Sequence, residues 1–148
     1  MDLPTDFYCQ DIEIIKDKFN DKTTYTHKKL AGIDFSRIDV NVEGVGLTTF
    51  YFLHSNAAHN TCVVGERGFY ILFDNGQKIE KPEAELKVDV NPSGKSFVYS
   101  TIISLTEEDI QLLLNHKMTN KRTYIFDDVI CLDDAEILQE YLRCLINR

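Results

Sequence analysis

The sequence holds no Cys-x-x-Cys pair, no glycine-rich phosphate loop and no serine flanked by spaced glycines. Without a Walker loop, a Gly-x-Gly-x-x-Gly turn or a Gly-x-Ser-x-Gly elbow, the recognised routes to a nucleotide cradle, a dinucleotide fold and an acyl-transfer site are missing. Gly44-Val-Gly46 is a lone fragment that reads as a turn. No apolar run nears the roughly 20 residues that a helix needs to cross a bilayer, so no membrane span is expected. Cys9, Cys62, Cys131 and Cys144 are too widely spaced for a zinc knuckle, and a core of this size needs no staple. Four buried free thiols are the expectation. Internal repeats, low-complexity segments and linkers are absent too, which leaves a single domain over residues 1–148.

Positive charge is scarce. Sixteen Lys and Arg face 24 Asp and Glu, for a net charge of −8. The basic runs at residues 16–18, 28–29 and 117–122 are short and mixed, so a nucleic-acid partner is not expected. An acidic chain suits a basic protein partner, although net charge also serves solubility alone. Met1-Asp-Leu-Pro-Thr-Asp6 has neither a basic region nor an apolar stretch. That predicts a cytoplasmic chain, with an exported mature form left open if a leader has been removed.

What is present is strand pattern. Phe69 to Phe73 is a continuous apolar run, as in a strand buried mid-sheet, and Asp74-Asn75-Gly76 after it predicts a tight type I′ reversal. Residues 11–16 and 23–27 read as a first hairpin across Asn20-Asp21-Lys22. Residues 38–42 alternate, residues 47–54 are solidly apolar, 56–61 form a polar loop, and 62–64 give a short strand. Residues 84–90 alternate again and return through Asn91-Pro92-Ser93-Gly94 into 96–105. The period changes at Thr106-Glu-Glu-Asp109, which has the spacing of a capping box before Ile110, Leu113 and Leu114. One more strand spans 123–130, and Asp133 caps a last helix with a stripe of Ile137, Leu138, Tyr141, Leu142 and Leu145. The pattern predicts an α+β fold: a mainly antiparallel, sandwich-like sheet of about eight strands with two helices in the C-terminal third.

Candidate chemistry is sparse. His54, His59 and Cys62 form the one metal-like cluster, His-x4-His-x2-Cys, with zinc as the ion that imidazole and thiolate would take and His27, His116 or an Asp as a distant fourth ligand. The same Cys62 beside a histidine is the obvious nucleophile pair. Asp127-Asp128 and Asp133-Asp134 offer oxygens to calcium but lack the alternation and central glycine of an EF-hand, and read more simply as a strand end and a helix cap. Phe50, Tyr51, Phe52, Phe69, Tyr70, Phe73, Phe97, Tyr99, Tyr124 and Phe126 read as core. Were one sheet face left uncovered, some of them would form an adhesive patch.

Three stretches carry a resemblance: Asp17-Lys-Phe-Asn-Asp-Lys-Thr-Thr-Tyr25; Gly68-Phe-Tyr-Ile-Leu-Phe-Asp-Asn-Gly76 with Pro82-Glu-Ala-Glu-Leu86; and Ile103-Ser-Leu-Thr-Glu-Glu-Asp-Ile110 with Arg122-Thr-Tyr-Ile-Phe-Asp127. Together they resemble small uncharacterised domains of Bacteroidetes-type bacteria, a group with no assigned activity whose members often carry an export signal. The expected function is a non-enzymatic protein-binding or accessory domain without a cofactor, partnered by another protein or by its own copy through a sheet edge or an uncovered apolar face. The alternative is a small metal-dependent or Cys/His hydrolase centred on His54, His59 and Cys62.

Overall fold

A computed structural model of the chain describes residues 7–148, and the leaderless reading of residues 1–6 lies outside them. After a 3-10 turn (Phe7–Asp11), the strands are β1 (Glu13–Asp17), β2 (Lys22–Thr26), β3 (Ile33–Val42), β4 (Gly46–His59), β5 (Arg67–Phe73), β6 (Lys78–Glu85), β7 (Lys87–Val90) and β8 (Phe97–Ser104). Helix α1 (Glu107–Asn115), β9 (Met118–Thr123), β10 (Phe126–Val129) and helix α2 (Leu132–Ile146) complete the chain. Six strands pair in the order β1-β2-β3-β4-β8-β7 and four in the order β10-β9-β5-β6. Every pairing is antiparallel, as the short turns and late helices predict.

One strand path joins the sheets. β6 ends at Glu85 on the edge of the smaller sheet, and β7 begins at Lys87 on the edge of the larger. The Thr101 hydroxyl on β8 donates to the Glu85 carbonyl at 2.8 Å and pins that corner. Residues 84–90, which alternate as one strand in the sequence, are therefore divided at Leu86 between two sheets.

The core lies between the facing sheets. Ile33, Phe35 and Leu53 from one side and Phe69, Ile71 and Phe73 from the other are buried to within 2%. Helix α2 packs against both β3 and β9 and adds Leu138, Leu142 and Leu145, all fully buried. Each such side chain contributes about 1.5–3 kcal/mol through removal from water. Arg37 on β3 ties α2 to the sheet: its Nη1 donates to the Leu145 and Arg148 carbonyls, both at 2.9 Å. A cation there offsets the negative end of the helix dipole.

Several local expectations are corrected. Cys9 and Cys144 are joined by a disulfide, while Cys62 and Cys131 are free and exposed, so none of the four is a buried free thiol. The β5–β6 reversal is a three-residue loop, not a type I′ turn: Phe73 N donates to Gln77 O, Gly76 N donates to Phe73 O, and Gly76 alone adopts a positive φ, of 86°. The strand expected over 123–130 is broken by a tight turn in which Tyr124 takes φ 57°: Thr123 ends β9, which begins at Met118, and only Phe126–Val129 form β10. β4 runs on through 56–59, and 62–64 are loop. Helix α2 starts one residue after Cys131, with Asp133 and Asp134 in its first turn and no side-chain cap. At α1 the capping box is complete: Asp109 N donates to Thr106 Oγ1 (3.1 Å) and Thr106 N to Asp109 Oδ2 (3.0 Å).

Candidate functional site

β4 decides where the predicted site residues go. It is paired without a bulge to β3 and to β8, so successive side chains alternate strictly between faces. Leu53, Ser55 and Ala57 point to the core, with His59 in phase; His54 and Asn56 point the other way. Five residues of strand hold His54 and His59 about 16 Å apart along the chain and on opposite faces. Cys62 sits exposed in the following loop. The structure therefore does not bring the predicted trio together, and among the described residues no three His, Cys, Asp or Glu side chains gather as a metal ion needs.

His54 belongs to a groove on the outer face of the larger sheet. Its Nδ1 meets Asp34 Oδ1, directly across on β3, at 3.1 Å. The Asn56 amide, oriented by its neighbours, donates to His54 Nε2 (3.3 Å) and Ser100 Oγ (3.0 Å), while its Oδ1 accepts from Lys29. Glu85, Lys87, Asp89 and Ile102 line the rest of a groove of about 800 Å³. Lys29 stands on the loop between β2 and β3, which crosses β4 closely enough that Asn56 N donates to Gly32 O at 2.8 Å. Gly32 is needed there: at φ 71° a Cβ would lie 2.5 Å from Asn56 O.

His59 belongs to a seam between the sheets. Its ring stacks on Phe126 at 4.1 Å, and its Nε2 lies 3.9 Å from Asp128 Oδ2, near enough for attraction and too far for a hydrogen bond. Both atoms, with Thr123 Oγ1, are buried without a hydrogen-bond partner among the described residues. Beside them Lys121 is 3% exposed and reaches from β9 to β4, where Nζ donates to Ser55 Oγ (2.9 Å) and Asn56 O (2.7 Å). Burial brings its pKa down to about 8, against the attraction of Asp128. Asp127, on the opposite face of β10, is taken up by Arg122.

The rest of the outer face of the larger sheet is open and apolar at its centre. Ile15, Thr24, Ile38 and Phe50 are direct cross-strand partners on β1, β2, β3 and β4, so they form one row. Phe52 lies two residues on from Phe50, and Ile102 pairs with His54. Ile15 is 51% exposed, Phe50 44% and Ile102 66%. Beyond the row, the β1–β2 turn holds out Phe19 and the β3–β4 hairpin Val45, both largely bare. By contrast Phe69, Phe73 and Tyr99 are core, as their apolar runs predict. The sequence singles out neither the row nor Lys29, Asp34, Ser100 and Lys121. Each residue is unremarkable alone, and only strand register assembles them.

Set beside known proteins, the chain matches no family model, no curated protein and no solved structure. Among the described residues no helix is long and apolar enough to cross a membrane.

Proposed function

We propose that this chain is a non-enzymatic binding protein that docks a basic protein partner on the outer face of its larger sheet. The observation that carries this reading is the row Ile15, Thr24, Ile38 and Phe50, four strands wide, with Ile15 and Phe50 exposed and Thr24 and Ile38 half-buried between them. An apolar centre of this kind with a polar border has the composition of an interface and would be costly to leave wet. The charge on the chain chooses the occupant: two copies, each at −8, repel on approach, whereas a basic surface is drawn in. The Cys9–Cys144 bond supports an oxidising compartment as the place of action, in keeping with the export signals of the domains the sequence resembles.

The test compares the wild type with Phe50→Asp in pull-downs from the source cells, followed by reconstitution of the purified pair. A basic protein that forms an equimolar complex, weakens as salt is raised and no longer binds Phe50→Asp is the expected result. Equal binding by both forms would overturn the reading, as would a purified chain that dimerises through Phe50 and leaves no face for a partner. Phe50 is 44% exposed and lies outside the buried core, so the variant retains the fold, which a melting curve verifies.

A further inference from the structure

The charge on the groove turns on one imidazole. An ionised Asp34 can only accept, so His54 Nδ1 carries the proton that meets Asp34 Oδ1 at 3.1 Å, and Nε2 is left to accept from the Asn56 amide at 3.3 Å. His54 is therefore neutral, and Asp34 keeps its charge. Around them stand Lys29 on the β2–β3 loop, Glu85, Lys87 and Asp89 at the β6–β7 corner, and Ser100 and Ile102 on β8. With Asp34, three carboxylates face two lysines, which leaves one negative charge in excess.

A proton on Nε2 undoes this arrangement. The new N–H points at the amide N–H of Asn56, two donors face to face, so the amide must turn over and present its oxygen. Its nitrogen then stands where its oxygen accepted from Lys29, and Lys29 loses that acceptor. The Ser100 hydroxyl changes from acceptor to donor towards Asn56. The backbone need not move, because Asn56 N still donates to Gly32 O. Protonated His54 matches Asp34, and the negative excess is gone.

We infer that His54 is a proton switch on the docking face: neutral, it leaves Asp34 to attract a cationic group of the partner, and protonated, it cancels that attraction and weakens docking. This rests on the basic partner proposed above and adds the control of its binding by pH. The position suits the role. His54 follows Phe50 and Phe52 on the same face of β4, pairs with Ile102 and is 30% exposed, so a partner on the apolar row meets the groove next.

Two measurements on the purified chain test it between pH 8 and 5, the range in which histidine ordinarily changes charge, at constant ionic strength. In the first, NMR follows the His54 ring, the Asn56 side-chain amide and the Lys29 side chain. All three should move with one midpoint, and the Asn56 and Lys29 changes should vanish in His54→Gln. In the second, tri-arginine stands in for the cationic partner, and its affinity for the groove is read from the amide shifts of Ser100 and Ile102. That affinity should fall about threefold on acidification, the worth of one partly exposed ion pair. The fall should be lost in His54→Gln and kept in His116→Gln, which removes the histidine at the end of α1 beside Asp74. An imidazole that stays neutral to pH 5, an Asn56 amide that does not follow it, or tri-arginine that never perturbs the groove overturns the inference. So does a fall in affinity that persists in His54→Gln. Neither measurement uses the natural partner, so a failed pull-down leaves both standing and the two claims fall separately.

Discussion

His27 is a buried imidazole committed to one neutral tautomer. Nδ1 lies 2.7 Å from the Lys28 carbonyl and must donate to it, while Nε2 accepts from Phe35 N at 2.9 Å. Tyr141 stacks on the ring at 4.2 Å, and Asp11 and Asp34 are the charges that face it. Burial lowers its pKa below the usual 6.5 despite those carboxylates, because a proton on Nε2 would evict the Phe35 N–H. The unfolded chain therefore takes up a proton first, and stability present above pH 6.5 is lost as pH falls through the folded value. Melting temperature should drop between pH 7 and the carboxylate range, and His27→Gln should flatten that part of the curve; an unchanged slope would show that His27 is not the group responsible. Lys121 works in the opposite range. Its folded pKa of about 8 lies below the ordinary 10.5, so its protonated form is penalised in the fold up to pH 8 and the penalty is relieved as pH rises toward 10.5. The relief is at most about 3 kcal/mol. Lys121→Met should lose this alkaline gain in stability, read from denaturant midpoints between pH 7 and 10.

Helix α2 is legible from sequence on its buried side and illegible at its ends. The stripe of Leu138, Tyr141, Leu142 and Leu145 is buried as its spacing demands, and the Thr106 to Asp109 capping box of α1 forms as written. Nothing in the sequence says that Arg37, 108 residues before Leu145, closes the C-terminal end of α2. Arg37→Met removes two bonds to terminal carbonyls and leaves Asp39 without its bidentate partner. The expected cost is about 2–3 kcal/mol, with faster hydrogen exchange in the last turn of α2 as its local sign. Strands tell the same story. Alternation and Asn-Gly signals reveal that residues 67–80 are a hairpin, but a left-handed Tyr124 carries no turn signature, so 123–130 reads as one strand and the polar β9, residues 118–122, goes unread. The weak strand formers Asn56, Ala57 and Ala58 hide the end of β4, because pairing with β8 alone, beyond the last β3 partner at Ser55, and not propensity, keeps them extended. That misreading also produced the metal cluster: once β4 reaches His59, an odd spacing from His54 forbids a shared ligand. The apolar row was out of reach for a further reason, since it exists only when four strands adopt one register.

On the scale of the whole molecule, the two ends of the chain are fastened to each other. Cys9 and Cys144 are bonded across 135 residues, Tyr141 OH donates to Asp11 at 3.0 Å, and Arg148 donates to the Cys9 carbonyl at 2.9 Å. A covalent link over so long a loop acts chiefly on the unfolded chain, which it keeps from expanding. Loop entropy alone gives roughly 5 kcal/mol, and native bonds of this kind are worth about 2–4 kcal/mol in practice. The Cys9→Ala/Cys144→Ala double variant should therefore melt about 5–15 °C lower than the oxidised wild type. Reduced wild type should melt with the double variant, since α2, the Arg37 contacts and the facing sheets remain in both. If reduction changes nothing and the thiols of the purified protein all react with an alkylating agent, the clasp is not part of the working molecule. The case for an oxidising compartment would then fall with it, and a core of 148 residues would be holding the fold unaided.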